Sequence, residues 1–559
     1  MHHQSGTAGP APTAATATLT ALFDEASRRF PDNRAIWFSG REWTYGELAA
    51  EIDRCAIGLA AIGVAKGARV GLCLPNSPYS VICFFAILRV GATVVNFNPL
   101  YTSRELLAQI RDADVETMFT MDIAACYQGL GPIVAEAGLK HVIVCPLAPA
   151  LPPVRALLLK TLKRSILTAT PRDDRHISYA DLLKKDAGRW APEADIAPED
   201  IAVLQYTGGT TGISKGAMLS HRALVANTKQ VKATFIGTAE DGREIFIGVL
   251  PFFHVFALVA TMLYAIEIGA AMILMMRFDR DALITLTQKH RATVLSAVPT
   301  IFGAINAVAE TRKIDLTSLK FCISGGAPLP LEVRNRFDKL TGCRLTEGYG
   351  LTECSPVVSV NPVNGPPAPD GSAGLPLGDT TLQIRDPDHP EIILSQGEKG
   401  ELWVRGPQVM SGYWNRPDET ANVLRDGFVR TGDIAYVDAD GYLHIVDRLK
   451  ELILCSGYNV YPRVIEEALY EHEDVAEAVA IGVPDAYRGE CPKAFVTLKP
   501  GANTTIEALH AFLEPRLSKI ELPRDIEIRE TLPRTLVGKL SRKALIDEER
   551  AGGERHVDA

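Results

Sequence analysis

Several features that would assign a protein to a class are missing from this chain of 559 residues. Its 10 cysteines form no CxxC pair, so neither a zinc site nor a thioredoxin-like motif is indicated. Most of them lie within apolar runs, which predicts buried, reduced thiols in a cytoplasmic protein. Basic side chains do not predominate, since the net charge is −9, and no nucleic-acid partner is expected.

The N-terminus also lacks the features of a targeting signal. Residues 1–19 have neither a basic start nor an apolar core, so we interpret them as a disordered lead. The rest of the chain has 47% hydrophobic and 22% charged residues, which is typical of globular proteins. A chain of this length is expected to divide into several structural units.

Only one apolar run, residues 255–276, is long enough to span a bilayer. Its one charged residue, Glu267, would cost about 2.5–3.5 kcal/mol at the centre of a membrane. The sequence from Glu267 to Gly269 is typical of a helix end, and residues 271–275 then predict a buried strand. We therefore interpret the run as protein core rather than as a transmembrane span.

A second segment, residues 151–167, is apolar and basic without any acidic residue. Leucines and isoleucines alternate there with Arg155, Lys160, Lys163 and Arg164. Two interpretations stay open, namely an amphipathic helix on the anionic cytoplasmic face of a membrane and a surface helix packed on its own domain.

The pattern of the chain predicts an α/β fold in several parts. From Arg69, apolar strands alternate with helices, which indicates two α/β subdomains with parallel sheets. From about residue 371, short strands with frequent turns indicate a small β-barrel-like subdomain. We place the N-terminal domain at 20–446 and a small, mobile α+β C-terminal domain at 447–559, with a helix expected at about 506–517.

The segment Tyr206–Gly216, YTGGTTGISKG, is the densest cluster of polar and flexible residues. Its glycines allow close approach of backbone N–H groups to an anion, while the hydroxyls and Lys215 suit phosphate. The Walker A pattern does not match, because Lys215 lies between Ser214 and Gly216. We predict a polyphosphate-binding loop between two extended segments, with Ser220 capping the next helix; a flexible surface loop is the alternative.

Further turns with small residues follow other apolar segments. A glycine–proline turn, residues 325–330, follows an apolar strand, and Glu353 comes just after the small-residue sequence EGYGLT. His254 lies in the aromatic sequence PFFHVF, where a packed core histidine and a functional one are equally compatible with the sequence.

Taken in order, these motifs resemble those of the adenylate-forming (AMP-binding) superfamily, which includes acyl-CoA synthetases, peptide-synthetase adenylation domains and insect luciferases. The resemblance covers the chain after about residue 20 and rests on YTGGTTGISKG, PFFHVF, SGGAPL, EGYGLTE, RTGD, DRLKELILCSGYNVYP and PRTLVGKLSRKAL. The segments TGGTTGISKGAMLSH, GPQVMSGYW and SGYNVYP are most similar to those of bacterial long-chain fatty acid–CoA ligases.

The resemblance implies a role for each motif in binding ATP and Mg²⁺. It assigns the β- and γ-phosphates to Thr207, Gly208, Gly209, Thr210, Thr211 and Lys215. It assigns the adenine to Gly325, Gly326, Ala327, Pro328, Glu347, Gly348, Tyr349 and Gly350. It places Asp433 and Arg448 at the ribose, Thr352 at the α-phosphate and Mg²⁺ on Glu353.

The remaining implied roles concern the acyl group and the change between two reactions. His254 is implied beside the acyl–adenylate junction, and Lys539 as donor to the carboxylate and α-phosphate oxygens. Residues 447–451 resemble the family hinge, with Asp447 at its start and Lys450 at the pivot, where many relatives carry Asp. After rotation, Gly457, Tyr458 and Asn459 would face the thiol of CoA.

The expected activity is therefore ATP-dependent activation of a medium- to long-chain fatty acid, first to acyl-AMP and then to acyl-CoA. An enzyme that loads a carrier protein, and a ligase for an aromatic or short-chain acid, are alternatives. A non-enzymatic fatty-acid binding module that contacts a membrane through residues 151–167 is a third. Because family members are often dimers, a homodimer is also implied.

Overall fold

The alternation of strands and helices predicted from Arg69 onward is present in the computed structural model. It describes residues 18–162, 164–186, 195–207, 214–455, 458–485, 488–535 and 538–557. Of the predicted lead, residues 1–17 lie outside this description, and Thr18 caps the first helix.

The strands up to the end of the second large sheet are β1 (Arg34–Phe38), β2 (Arg41–Thr44), β3 (Arg69–Leu72), β4 (Thr93–Asn96), β5 (Thr117–Met121), β6 (His141–Cys145), β7 (His176–Ser178), β8 (Ile201–Thr207), β9 (Lys215–Ser220), β10 (Ile245–Gly248), β11 (Ala271–Leu274), β12 (Val294–Ala297), β13 (Phe321–Ser324), β14 (Leu345–Gly350), β15 (Val357–Val360) and β16 (Leu375–Pro376). The later strands are β17 (Thr381–Arg385), β18 (Gly400–Arg405), β19 (Leu424–Arg425), β20 (Phe428–Val437), β21 (Leu443–Arg448), β22 (Ile453–Cys455), β23 (Tyr458–Val460), β24 (Val475–Asp485), β25 (Gly489–Leu498) and β26 (Asp525–Ile528).

The helices are α1 (Leu19–Arg29), α2 (Tyr45–Ala61), α3 (Pro78–Arg89), α4 (Ser103–Asp112), α5 (Ala124–Leu130), α6 (Pro153–Leu162), α7 (Tyr179–Leu182), α8 (His221–Thr234), α9 (Val255–Ala257), α10 (Tyr264–Glu267), α11 (Arg280–His290), α12 (Pro299–Thr311), α13 (Leu331–Thr341), α14 (Pro417–Val423), α15 (Pro462–Tyr470), α16 (Ile506–Leu513) and α17 (Arg542–Val557). A π-helical stretch, Leu258–Leu263, joins α9 to α10.

Two large sheets form the N-terminal part of the chain. The first has the strand order β7-β6-β5-β3-β4-β8-β9, and β9 at its edge is antiparallel to β8. The second has the order β16-β15-β14-β13-β12-β10-β11-β1-β2 and is parallel from β14 to β1. The central strands are buried throughout, because helices cover both faces of a parallel sheet. One apolar core, which includes residues from Leu19 to Tyr413, connects the two sheets.

Local signals in the sequence placed several helix starts correctly. Thr102 and Glu105 form the predicted capping box, with the Glu105 carboxylate accepting from the Thr102 N–H at 2.8 Å. The Ser220 hydroxyl accepts from the Ala223 N–H at 3.1 Å and begins α8 at His221. Lys215 belongs to strand β9, as the failed Walker A match predicted.

The apolar run 255–276 is core, as predicted. It forms the continuous helical segment from α9 to α10, then turns at Gly269 and enters the buried strand β11. Glu267 lies 3.2 Å from the Lys232 ammonium at the helix end. None of the described helices combines the length and apolar character needed to cross a membrane.

The β-rich part, β17 to β21, is an antiparallel five-stranded sheet with its own apolar core. Trp403 is fully buried there, and the Arg385 guanidinium lies 4.0 Å from its ring centroid. Strand β21 ends at Arg448, where a 3-10 turn over Leu449–Glu451 leads into the C-terminal part. This turn coincides with the predicted hinge segment.

The C-terminal part has a mixed sheet in the order β23-β22-β25-β24, with β26 parallel to β25, and helices α15 and α16 pack on it. One helix boundary was wrong in the sequence analysis, because α16 ends at Leu513 rather than near 517. Pro515 has no N–H and cannot continue the helical hydrogen-bond pattern. All ten cysteines are buried and free, in agreement with the sequence prediction.

Candidate active site

A cavity of about 1800 Å³ lies where both large sheets face the C-terminal part. Residues after the carboxyl ends of β8, β10, β13 and β14 line it, and residues from the C-terminal part, including Lys539, close it from the other side. In parallel α/β sheets this edge is where ligands bind, because the strand-to-helix loops meet there.

Most of the predicted site residues come together around this cavity. Those that line it are Thr207, Lys215, His254, Gly325, Gly326, Ala327, Pro328, Glu347, Gly348, Tyr349, Gly350, Thr352, Glu353, Asp433, Asp447, Arg448, Lys450 and Lys539. Residues separated by more than 300 positions in the chain therefore share one site.

A few predicted residues cannot be placed. Gly208, Gly209, Thr210 and Thr211, at the tip of the glycine loop, and Gly457 lie outside the described residues. Tyr458 and Asn459 belong to strand β23, and their side chains are also outside the description.

Lys539 reaches into the cavity from the C-terminal part. Its side chain packs on Gly326, where an added Cβ would lie 2.6 Å from Lys539 Cε and 2.9 Å from Nζ. Gly326 also has φ +81, so only glycine satisfies both the backbone and the lysine. The Thr300 hydroxyl donates to the Gly538 carbonyl at 3.1 Å and fixes the lysine loop against α12.

The charge of Lys539 is not neutralised by a neighbouring acid. Within the described part of the chain, no carboxylate lies within ion-pair distance of its ammonium. Burial, together with the positive charge of the nearby Arg448 guanidinium, lowers the pKa of Lys539 to about 8. A half-buried cation without a carboxylate partner suits an anionic ligand.

His254 begins the helical segment after β10, and its ring is uncharged. Burial, followed by the positive charge of Lys539, lowers its pKa to about 3. Its Nδ1 atom accepts a hydrogen bond from the Phe256 N–H at 3.3 Å. The proton of the neutral ring is therefore on Nε2, which makes that atom a donor.

Buried amides hold the loop that carries His254. The Asn76 side chain donates to the Leu250 carbonyl at 2.7 Å and accepts from the Phe252 N–H at 2.8 Å. The Gln205 amide donates to the Phe253 carbonyl at 2.8 Å. Asn76 follows β3 and Gln205 lies on β8, so these contacts tie the loop after β10 to the first sheet. The sequence analysis did not identify them because isolated Asn and Gln residues carry no motif.

Asp433 and Tyr349 form a second polar cluster. The Tyr349 hydroxyl donates to Asp433 Oδ2 at 2.5 Å, and Arg448 Nε lies 3.2 Å from Asp433 Oδ1. Asp433 and Arg448 are directly opposite each other on β20 and β21. Burial raises the pKa of Asp433, while Arg448 and Tyr349 act against that shift. The carboxylate is thus held in a fixed orientation at the cavity wall.

Glu353 and Lys215 both contact Tyr413. The Tyr413 hydroxyl donates to Glu353 Oε1 at 2.6 Å, and the Lys215 ammonium lies 5.3 Å from the centroid of the same ring. The Met410 N–H also donates to the Glu353 carbonyl at 2.8 Å. Tyr413 was not predicted as a site residue, although it belongs to the segment GPQVMSGYW on which the family resemblance partly rests.

Glu353 fits a magnesium site completed by a ligand. Among the described residues, no group of three or more His, Cys, Asp or Glu could hold a metal ion. Mg²⁺ commonly uses one or two carboxylates together with substrate phosphates and water, so a single oriented carboxylate is sufficient.

One side of the cavity is apolar. It is lined by Val231 on α8, Phe235 just after α8, Ala260 in the π-helical stretch, Ile323 on β13 and Val360 on β15. The Phe235 ring stacks on Phe321 with centroids 4.4 Å apart, which gives this side a rigid aromatic end. It can accept an apolar group whose polar end points to His254 and Lys539.

The start of α17 is fixed to the predicted hinge segment, residues 447–451, by Arg542, which the sequence analysis also missed. Its guanidinium lies 2.7 Å from Glu466, 3.6 Å from Asp447 and pairs with Glu451. Burial raises the pKa of Asp447 to about 6. Since Lys539 precedes Arg542 by three residues, this cluster contributes to the position of the lysine.

Comparison with known proteins identifies the family. The family model for AMP-binding enzymes matches residues 23–414, and the model for the AMP-binding enzyme C-terminal domain matches residues 464–539. The long-chain-fatty-acid–CoA ligase of Bacillus subtilis (strain 168) is 41% identical over 95% of this chain and 94% of its own. The ligase of the same name from Salmonella typhimurium is 39% identical over 95% of each chain.

Solved structures give the same result. ATP-bound MatB from Rhodopseudomonas palustris is 29% identical, covers 95% of this chain and 99% of its own, and has a TM-score of 0.81. Its apo form, with the same coverage, has a TM-score of 0.73. Because the family models cover most of the chain and relatives match it along nearly its whole length, the chain belongs to the family of AMP-binding enzymes.

Proposed function

We propose that the protein is an AMP-forming fatty acid–CoA ligase. A fatty acid carboxylate attacks the α-phosphate of ATP, giving acyl-AMP and pyrophosphate, and the thiol of CoA then displaces AMP to give acyl-CoA. The observation that carries the proposal is the position of Lys539, a half-buried cation with no carboxylate partner among the described residues, in the cavity that the apolar side chains and the Asp433–Tyr349 cluster also line. The names of the relatives that match the whole chain support the same substrates.

The main obstacle to the first step is electrostatic, because an anionic carboxylate must approach an anionic triphosphate. Fixed donors that face the developing charge lower this barrier without reorganisation. Lys539 supplies a cation and His254 Nε2 an uncharged donor on the side of the acid, and Lys215 supplies a cation on the side of the leaving pyrophosphate. No covalent nucleophile is required of the protein, so positioning is its main contribution.

The nucleotide would lie along the wall formed by β13, β14 and β20. The backbone of 325–328 and 347–350 offers a flat surface for adenine, and the Asp433 carboxylate can accept from the ribose hydroxyls. Thr352 would contact the α-phosphate. Mg²⁺ bound to Glu353 and to the phosphates would neutralise part of their charge.

The apolar side of the cavity supports a fatty acid rather than a short polar acid. Val231, Phe235 and Ala260 provide only hydrocarbon and aromatic surface, which favours an alkyl chain. An aromatic acid would also fit such a surface, and a carrier protein would replace CoA without a change in the first step. These two alternatives are separated by the substrates tested below.

We assign this arrangement of the chain to the adenylation step as part of the proposal. With Lys539 inside the cavity, CoA would need access that the C-terminal part now occupies, so rotation at 447–451 would follow adenylation. The closer similarity to the ATP-bound than to the apo form of MatB supports this assignment. Rotation would separate Gly538 from Thr300 and bring Gly457, Tyr458 and Asn459 towards the acyl-adenylate.

A peripheral contact with anionic lipid through residues 151–167 is also proposed. Val154, Leu157, Leu158 and Ile166 are exposed by 71%, 64%, 48% and 40%, which is unusual for so many large apolar residues within one short segment. The segment contains four basic residues and no acidic residue. A cytoplasmic location stays a prediction from the cysteine pattern, and a homodimer stays a prediction from the family resemblance.

The first prediction concerns the acid and the two half-reactions. The wild-type protein should exchange pyrophosphate into ATP with medium- and long-chain fatty acids but not with acetate, and should release AMP only when CoA is added. Lys539→Ala should lower the exchange rate at least about 100-fold, because the donor to the reacting oxygens is removed. Its rate of thioester formation from supplied acyl-AMP should stay within about threefold of wild type.

Lys519→Ala, which removes an exposed lysine of the same part of the chain, is the matched control and should leave both rates unchanged. Equal loss of both half-reactions in Lys539→Ala would contradict the role of this lysine in adenylation. Exchange with aromatic acids alone, or AMP release with a carrier protein in place of CoA, would favour the corresponding alternative.

The second prediction is the pH dependence of adenylation. Lys539 must be protonated to donate, and its pKa is lowered to about 8, so the active form is lost as pH rises through that value. The kcat/KM for ATP in pyrophosphate exchange, which reports the free enzyme, should fall above about pH 8. The residual activity of Lys539→Ala should lack this fall, and a wild-type profile that stays flat to about pH 10 would show that another group provides the charge.

The third prediction concerns the metal. Glu353→Gln should raise the Mg²⁺ concentration that gives half-maximal adenylation by about 10-fold or more, because the amide is a weaker ligand than the carboxylate. Glu398→Gln changes an exposed carboxylate away from the cavity and serves as the control. An unchanged magnesium titration in Glu353→Gln would exclude this residue as the ligand.

The fourth prediction concerns the lipid contact. Replacing both Leu157 and Leu158 by Glu should lower cosedimentation with phosphatidylglycerol vesicles several-fold, since both apolar area and charge complementarity are lost. The control is Ile236→Glu, which changes an isoleucine that lies outside the segment and is 71% exposed. This variant should bind the vesicles as the wild type does. Equal binding by the wild type to neutral phosphatidylcholine vesicles, or none to either, would refute the proposed contact.

A further inference from the structure

Lys215 is already paired with a carboxylate of the protein. It begins β9, next to the glycine loop, and its ammonium forms an ion pair with Glu419 on α14. Sequence motifs did not point to Glu419, which follows the segment GPQVMSGYW. The carboxylate of Glu419 therefore lies beside Lys215, the cation that binds pyrophosphate in the proposed function.

The position of Glu419 is fixed by backbone pairing rather than by its own side chain. The Met218 N–H donates to the Gly412 carbonyl at 2.9 Å, and the Trp414 N–H donates to the Gly216 carbonyl at 2.8 Å. The Tyr413 N–H donates to the Thr420 hydroxyl at 2.9 Å, which turns the chain into α14. Glu419 is therefore held beside β9 whether or not it is paired with Lys215.

A second cation lies close to the same carboxylate. Arg416 Nε is 3.8 Å from Glu419 Oε1, while its Nη2 atom lies 2.5 Å from Asp112 Oδ1. If a ligand binds Lys215, the Glu419 carboxylate can turn towards Arg416 and keep a positive charge beside it. The carboxylate thus has two alternative cationic partners, Lys215 on β9 and Arg416 at the start of α14.

The Lys215–Glu419 pair is weak enough to exchange. The side chains of Lys215 and Glu419 are 23% and 35% exposed, and such partly solvated pairs contribute little because water competes with them. A pyrophosphate carries more charge and more acceptor oxygens than one carboxylate, so it would displace Glu419.

We propose that Glu419 is an exchangeable counter-ion of Lys215 that competes with pyrophosphate and thereby promotes its release. This inference rests on the proposed function. Glu419 is a positioning residue, since it acts on Lys215 and not on the reacting atoms. When ATP binds, Glu419 moves from Lys215 towards Arg416; after adenylation, its return to Lys215 weakens the hold on the product.

The test compares Glu419→Gln with Asp418→Asn. Both changes remove one negative charge from α14, but Asp418 is exposed, and no ion pair is formed by it in the described structure. Titration calorimetry with magnesium pyrophosphate should give about two- to fivefold tighter binding for Glu419→Gln, and the same pyrophosphate should inhibit acyl-CoA formation more strongly. Asp418→Asn should behave as the wild type does.

A third variant should change the affinity for pyrophosphate in the opposite direction. Arg416→Gln removes the alternative partner of Glu419, so the carboxylate should stay with Lys215 and pyrophosphate should bind more weakly than to the wild type. Melting temperatures establish that each variant is folded. The proposal would be overturned if folded Glu419→Gln bound pyrophosphate no more tightly than the wild type, or if Asp418→Asn showed the same increase in affinity. If Glu419→Gln does not fold, an affinity of Arg416→Gln equal to or higher than that of the wild type would overturn it.

Failure of the proposed function and failure of the role of Glu419 give different results. A wild-type protein that neither binds magnesium pyrophosphate nor exchanges it into ATP would refute the ligase assignment itself. Exchange by the wild type together with no effect of Glu419→Gln would refute only the role of Glu419.

Discussion

The site depends on one cation, Lys539, that the C-terminal part places in a cavity built by the N-terminal part. Its ammonium packs on Gly326 and has no carboxylate partner among the described residues, so burial and the charge of Arg448 lower its pKa to about 8. An unpaired buried charge is unfavourable in isolation. The contact of Gly538 with Thr300 and the cluster around Arg542 hold the lysine loop in place, and an anionic substrate would provide the missing partner.

The carboxylates of the site are oriented by tyrosine hydroxyls. Tyr413 donates to Glu353, and Tyr349 donates to Asp433 on the other wall, where Arg448 also pairs with Asp433. Lys215, which contacts the ring of Tyr413, is paired with Glu419 rather than with Glu353. Groups held in fixed orientations in this way can act on a charged ligand with little reorganisation.

In the proposed reaction, the position of Lys539 that serves adenylation would oppose thioester formation. With the C-terminal part at the cavity, a thiol would have little access to the acyl-adenylate. The contacts of the described residues across the junction include the Thr300–Gly538 hydrogen bond. A polar contact of this kind is compatible with the rotation that we propose at Leu449–Glu451.

The sequence by itself determined the α/β class, the order of the motifs and the motif residues that line the cavity, such as Lys215, Glu353 and Lys539. Those features depend on local patterns, such as the capping box at Thr102, the glycine-rich turns and the residues flanking Lys215, which are readable within a few positions. Only the tertiary structure decided which groups meet. Tyr413 contacts Glu353 across 60 positions, and neither Glu419 at Lys215 nor Lys539 at Gly326 follows from any spacing. Such contacts arise because β9, α14 and the C-terminal part pack side by side, and packing between distant segments leaves no periodic signal in the chain.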